Sequence, residues 1–262
     1  MEKTYLLTLL SDFGDRDVYV GVIKGVISQI NPQITIVDLT HQIPPQNIAY
    51  ARFCLMNTYP YFPSGTVHLA IVDPGVGSDR RAIAVEFAQG FLIGPDNGIF
   101  SGVLSQTPAI QVIELANSDY WLTDKPSQTF HGRDIFAPVA AYIAAGVPLQ
   151  KLGRELDQET LVRLDIGECY PMADGIVGCV QYIDHFGNLI SNIPGSYVQN
   201  RNWLIEIQGI RVPGCQAYSD VAPGKPLALV GSHGWIEIAI NCGKAQAQWQ
   251  INPLDLLTAI FV

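Results

Sequence analysis

Tyr5-Leu-Leu-Thr-Leu-Leu10 and Ile34-Thr-Ile-Val-Asp-Leu39 are near-continuous apolar runs, and between them Val18, Val22, Ile23, Val26, Ile27 and Ile30 recur at helical spacing. A third run, Val67-His-Leu-Ala-Ile-Val72, follows a segment, Asn47 to Thr58, that can form a second helix. Strands that are apolar on both faces and separated by helices predict a parallel sheet covered on both sides. Each of the three strands runs into polar or Gly/Pro-rich residues: Ser11-Asp-Phe-Gly-Asp15, Asp38 to Pro45, and Asp73-Pro-Gly-Val-Gly77. In open α/β sheets ligands bind at the carboxyl ends of the strands. Further on, Ala82 to Phe87 and Phe91 to Gly94 read as a hairpin leading to Pro95-Asp-Asn-Gly98. A helix is predicted to begin within His131-Gly-Arg-Asp134 and run to about Ala145, ended by Gly146 and Pro148.

After about residue 165 the helical period disappears. Short apolar segments, Gly175 to Ile183, Trp203 to Ile207, Leu227 to Val230 and Trp235 to Ile240, alternate with Asn192-Ile-Pro-Gly, Pro213-Gly and Pro223-Gly. The expectation is an α/β N-terminal domain with a largely parallel sheet, residues 1–165, and a smaller all-β, barrel-like C-terminal domain, residues 172–262. No internal repeat or low-complexity linker separates them.

With 262 residues, 48 % hydrophobic and 15 % charged, the chain can bury a sizeable core, which excludes a disordered or fibrous protein. Its 15 basic and 24 acidic residues give a net charge of −9, which argues against nucleic acid and anionic lipid as partners. The five cysteines, Cys54, Cys169, Cys179, Cys215 and Cys242, form no C-x-x-C pair. They suggest neither a disulfide framework nor a zinc site, and a reducing cytoplasm is expected. The apolar run near the N-terminus is too short for a signal peptide, and Val139 to Val147 falls far short of a membrane span.

Five clusters carry groups capable of chemistry. In Asp12-Phe-Gly-Asp-Arg-Asp17, Asp12 stands where a strand end can accept hydrogen bonds from a ligand diol such as a ribose, with Asp17 close by; the plain alternative is that these carboxylates cap a helix. No Gly-x-Gly-x-x-Gly or Walker sequence is present. Asp73-Pro-Gly-Val-Gly-Ser-Asp-Arg80-Arg81 is either a tight turn or a charge-tuned pair of acid and base at the sheet edge. In Thr129-Phe-His131-Gly-Arg-Asp134, His131 is a structural residue or a group that handles a proton or orients water, since no H-x-x-x-H or H-E-x-x-H metal pattern accompanies it. Asp184-His-Phe186-Gly-Asn188 is good turn material and equally a nucleobase site, with an aromatic face and an amide edge. Gly231-Ser232-His-Gly234 offers donors to a carboxylate or simply makes a turn.

Taken together, Ser11-Asp-Phe-Gly-Asp-Arg-Asp17-Val-Tyr-Val-Gly21, Asp73-Pro-Gly-Val-Gly77 with Arg80, Pro95-Asp-Asn-Gly98, Thr129-Phe-His-Gly-Arg-Asp134 and Asp184-His-Phe-Gly-Asn188 resemble the S-adenosyl-L-methionine hydroxide adenosyltransferase family, across nearly the whole chain. The resemblance implies hydrolysis of S-adenosylmethionine to adenosine and methionine by attack of water or hydroxide at the ribose 5′ carbon. It implies no cofactor, no metal, and a homotrimer with sites between subunits. It places a water-activating triad on Asp73, Arg80 and His131 and leaves open whether Asp73 or His131 takes the proton. It puts Asp12 on the ribose, Phe186 and Asn188 around the adenine, and Asp17, Asp184 and Ser232 toward the methionine part. Where halogenating relatives tend to follow the equivalent of Ser232 with arginine, this chain has His233. Competing expectations are a halide adenosyltransferase of the same fold, a non-catalytic sensor of adenosine or S-adenosylmethionine, and an acid-cluster metal hydrolase built on Asp12, Asp15, Asp17 and Asp73. The intact triad in a short chain favours water over halide, and the lack of nearby histidine ligands disfavours the metal hydrolase.

Overall fold

The computed structural model describes residues 5–262, which divide into two compact units, one ending at Leu164 and the other spanning Asp165–Val262. The first unit is built on seven strands: β1 (Leu6–Ser11), β2 (Thr35–Thr40), β3 (Thr66–Ile71), β4 (Ala82–Phe87), β5 (Gly90–Pro95), β6 (Ala109–Glu114) and β7 (Arg154–Glu155). They lie in the order β2-β1-β3-β5-β4-β6-β7. The pairings β2–β1, β1–β3 and β3–β5 are parallel, whereas β4 is antiparallel to both β5 and β6. The predicted parallel strands and hairpin are therefore present; β6 and β7, absent from the sequence reading, extend the sheet on its antiparallel flank.

Burial on both faces explains the continuous apolar runs. Leu7, Leu9, Val67, Leu69 and Ile71 pack against α1 (Tyr19–Ile30) and α4 (Ala137–Ala144), while Leu10, Ala70 and Val72 face α2 (Ile48–Thr58) and α3 (Ser101–Gln106). Successive residues of one strand thus serve opposite cores, each large side chain contributing about 1.5–3 kcal/mol. Two polar residues interrupt this pattern as a pair: Thr8 and His68 are opposite one another in the β1–β3 register, their side chains 2.8 Å apart. Burial pushes the His68 imidazole down to about 4, so it sits in the core uncharged.

The second unit contains β8 (Tyr170–Met172), β9 (Gly175–Ile183), β10 (Leu189–Pro194), β11 (Trp203–Ile207), β12 (Ile210–Pro213), β13 (Pro226–Val230), β14 (Trp235–Ile240) and β15 (Leu256–Phe261). Its order is β12-β11-β15-β9-β10-β14-β13, with β8 on β9, and the ladders are antiparallel. A bridge from Gly214 to Ala228, with Cys215 N donating to Ala228 O at 2.7 Å, joins the ends of the order and nearly closes a barrel. Inward-facing Ile176, Val180, Ile205, Ile207, Ile236, Ile238 and Leu257 fill it. The segment Ala245–Trp249 is helical, contrary to the expectation of a purely β texture here. Fewer than two turns are too short to show a period in the sequence. Among the described residues no helix is long and apolar enough to cross a membrane.

Candidate active site

The first unit brings Asp73, Arg80 and His131 together. Asp73 lies just beyond β3, and the chain from it coils tightly, with Val76 N donating to Asp73 O and Ser78 N to Gly75 O, so that Arg80 returns to the carboxylate seven residues earlier. Gly77 makes this return possible. It has φ of +79°, and an added Cβ would stand 2.3 Å from the Gln128 carbonyl oxygen, so a larger residue would force apart the two loops that carry Arg80 and His131. Arg80 Nε and Nη2 donate to the two oxygens of Asp73 at 2.9 and 2.5 Å, a bidentate fork. Both side chains are nearly buried, at 7 % exposure for Asp73 and 10 % for Arg80, and the guanidinium lies 5.1 Å from the centre of the Phe136 ring.

Arg80 Nη2 is also 2.8 Å from His131 Nδ1. A guanidinium has only N–H groups to offer, so Nδ1 accepts and the neutral ring carries its proton on Nε2. Burial first, and then the Arg80 charge, lower the His131 pKa below its ordinary value, against the opposing pull of Asp73 and Asp134. The imidazole is thereby held neutral at physiological pH.

His131 owes its position to a wide turn. Gly132–Phe136 is π-helical, and Ala137 N bonds back to Gly132 O. Pro138 has no N–H for the Asp134 carbonyl, which instead accepts from Leu122 N at 2.8 Å. π-Turns of this kind recur at functional sites. Asp134, fully buried, is a structural anchor: Arg133 donates twice to it, at 2.6 and 2.9 Å, and Ser127 N once, at 2.7 Å. Burial alone would raise its pKa, but these bonds outweigh it and hold the carboxyl below its ordinary value.

The Pro95-Asp-Asn-Gly98 motif flanks the triad from behind. Asn97 Nδ2 donates to Val72 O at 2.8 Å, and Asp96 accepts from Arg81 Nε at 2.8 Å. Each neighbour of the Asp73–Arg80 loop is therefore pinned, and the two adjacent arginines serve different carboxylates.

Asp12 and Asp17 lie on the loop after β1. Asp12 Oδ2 accepts from Gln46 N at 2.7 Å; Asp17 is exposed. Neither caps α1, whose N-cap is Val18 without a side-chain bond. This loop neighbours the His131 turn: the Phe13 and Tyr19 rings meet the Phe130 ring at 6.0 and 5.2 Å. In the second unit, Asp184 to Asn188 is the turn between β9 and β10. Asn188 N and Nδ2 donate to the two Asp184 oxygens at 2.8 and 3.0 Å, and Phe186 is 69 % exposed at its tip. Ser232 is exposed on the turn between β13 and β14, where Gly234 N bonds Gly231 O and His233 Nδ1 accepts from Trp235 N. The motifs of this unit thus make turns that present Phe186 and Ser232 outward, with Asp184 half-buried and Asn188 buried beneath them. Behind Ser232, sequence reasoning missed buried Glu237, which accepts from the Tyr218 hydroxyl and lies 3.3 Å from His233 Nε2. Burial and Glu237 push the Tyr218 phenol far above its ordinary range. Among the described residues no group of three or more His, Cys, Asp or Glu is placed to hold a metal ion.

Comparison with known proteins agrees over both units. A (R)-S-adenosyl-L-methionine hydrolase of Salinispora tropica is 38 % identical over 258 residues, 98 % of each chain. The crystal structure of a conserved protein from Thermotoga maritima superposes with a TM-score of 0.91 at 32 % identity, covering 97 % of this chain and 99 % of that one. A fluorinase of Actinoplanes sp. lies further off, at 27 % over 271 residues, 90 % of this chain and 91 % of its own. The models of the SAM hydroxide adenosyltransferase N-terminal and C-terminal domains match residues 7–153 and 178–258, and the chain belongs to that family.

Proposed function

We propose that this chain hydrolyses S-adenosyl-L-methionine to adenosine and L-methionine, with water attacking the ribose C5′. By analogy with the relatives named for it, the substrate is the (R) sulfonium epimer. The observation that carries this reading is the neutral His131, its Nδ1 bonded to Arg80 and its Nε2–H left to meet a ligand or water. In the reaction a C5′–O bond forms as the C5′–S bond breaks, and sulfur leaves with the electron pair as a neutral thioether. Because the sulfonium is a good leaving group, what the protein must supply is a water held in line. The His131 Nε2–H donates to that water's oxygen and leaves its second lone pair for C5′. The oxonium first formed is a strong acid and passes its proton to solvent water, so His131 orients the nucleophile without having to accept the proton. Asp73 balances the Arg80 charge, which would otherwise repel a cationic substrate.

For binding, the family pattern suggests Asp12 on the ribose hydroxyls and Asp17, Asp184 and Ser232 toward the methionine part. Phe186 offers a face to the adenine. Asn188 spends its Nδ2 on Asp184, leaving its carbonyl to accept from the adenine amine. We further propose that the reaction needs neither metal nor cofactor and that the protein works in the cytoplasm as a homotrimer with sites between subunits, without a nucleic-acid partner. Incubation with S-adenosylmethionine, with and without chloride or fluoride and in the presence of a chelator, tests this. Equal amounts of adenosine and methionine in every case are expected. A 5′-halogenated nucleoside would make it a halide adenosyltransferase, bound but intact substrate would make it a sensor, and loss of turnover in chelator would overturn the metal-free reaction.

A further inference from the structure

Behind Asp12 a polar chain crosses three elements. The Ser11 hydroxyl, fully buried at the end of β1, is 2.8 Å from Nδ1 of His41, the residue that follows β2. His41 Nε2, shielded from water, stands 3.2 Å from Asp38 Oδ1 in a contact short of a well-formed hydrogen bond, and Asp38 Oδ2 accepts from Lys24 Nζ of α1 at 2.5 Å. Buried polar groups so arranged call for an explanation. A nucleophile is not that explanation, because Ser11 is sealed from any substrate.

The explanation lies in what His41 starts. The loop from His41 to Gln46 grips the loop from Ser11 to Asp15 along its length: His41 O accepts from Gly14 N at 2.8 Å, Gln42 Nε2 donates to Asp15, and Gln46 N donates to Asp12 Oδ2. Gln46 makes that last contact with φ of +66°, a left-handed conformation that a non-glycine residue keeps only where its surroundings impose it. We infer that His41 is a positioning residue for Asp12: through Ser11, Gly14 and Gln46 it fixes the carboxylate with one oxygen held by backbone and the other turned to the ligand. This rests on the proposed role of Asp12 toward the ribose hydroxyls.

The test uses the intact protein and two nucleosides, adenosine and 2′,3′-dideoxyadenosine, with Kd measured calorimetrically for each. The wild type is expected to favour adenosine by about tenfold or more, the scale of hydrogen bonds to a charged group. His41→Leu should weaken adenosine about tenfold while changing the dideoxy compound less than about twofold, collapsing the ratio. His41→Asn, whose amide can bond the Ser11 hydroxyl as donor or acceptor, should retain most of it. Equal weakening of both nucleosides, or of neither, overturns the inference. If His41→Leu does not fold, Ser11→Ala is read in the same way. Asp12→Asn is the control: if it leaves the ratio intact, the ribose assignment fails and takes the inference with it. A collapse with Asp12→Asn but not with His41→Leu or Ser11→Ala sinks the role of His41 alone.

Discussion

The loops of the first unit and the turns of the second are built in opposite ways. Asp73 and Arg80 are nearly buried, joined by two hydrogen bonds and pinned on either side by Asn97 and Asp96. Phe186 and Ser232 stand exposed on turns whose own bonds are made by backbone, glycine and Asp184. Groups that act on a reacting atom gain from being fixed before substrate arrives, because a misplaced nucleophile loses rate steeply. Groups that recognise the flat face of a base or a flexible amino-acid tail need only be presented. With the roles proposed above, the contrast implies that substitutions at Asp73 and Arg80 lower stability and turnover together, whereas those at Phe186 and Ser232 weaken binding with little effect on folding.

The largest effect is expected of Asp73→Ala. It leaves the Arg80 guanidinium without its carboxylate in a nearly buried position, which should cost about 3–5 kcal/mol of stability together with nearly all turnover. Denaturant unfolding and initial rates measure both, and a variant that loses turnover at unchanged stability would show that the pair is not a structural unit. Next in size is His131. His131→Ala should lower kcat by about a hundredfold or more with little change in KM, while His131→Asn, which retains an N–H donor and a carbonyl acceptor, should stay within about tenfold of the wild type. Equal losses for the two would make His131 the proton acceptor rather than the group that orients water.

A smaller effect separates the units by pH. His68 has a pKa of about 4 when folded against an ordinary 6.5, so the unfolded chain takes up the proton first. The stability it contributes is complete above pH 6.5 and is lost progressively as pH falls toward 4, in total about 3 kcal/mol. Hydrogen exchange should show β3 losing protection over that window more than β14 does; equal loss in both strands would assign the acid sensitivity elsewhere. The smallest effect is on the exposed side. Phe186→Ala should raise KM about tenfold, the scale of one lost aromatic stack, and leave the unfolding midpoint where it was. A fall in the midpoint comparable to that of Asp73→Ala would erase the distinction between the two regions.

Much of the fold and of the site is legible in the sequence. The runs at 5–10 and 67–72 announce a sheet buried on both faces, because only such strands dispense with alternation. Asp73, Arg80 and His131 are visible as motifs, although only the structure shows the bidentate fork and the tautomer it imposes. What stayed hidden depends on contacts distant in sequence or on elements too short to pattern. Ser11 and His41 are thirty residues apart and unremarked alone. Tyr218 and Glu237 meet only across the barrel unit. The π-turn leaves a single trace, Pro138, which deprives Asp134 of its helical partner. The carboxylates of the first loop read equally as helix caps, and only the uncapped Val18 at the start of α1 removes that alternative.

That the His131 side of the first unit directs water to C5′ can be checked by turnover of S-adenosylmethionine in ¹⁸O-labelled water with mass analysis of the products. One labelled oxygen is expected, in the 5′-hydroxyl of adenosine, with unlabelled methionine. Label in homoserine accompanied by methylthioadenosine would place the attack on the amino-acid chain and contradict it.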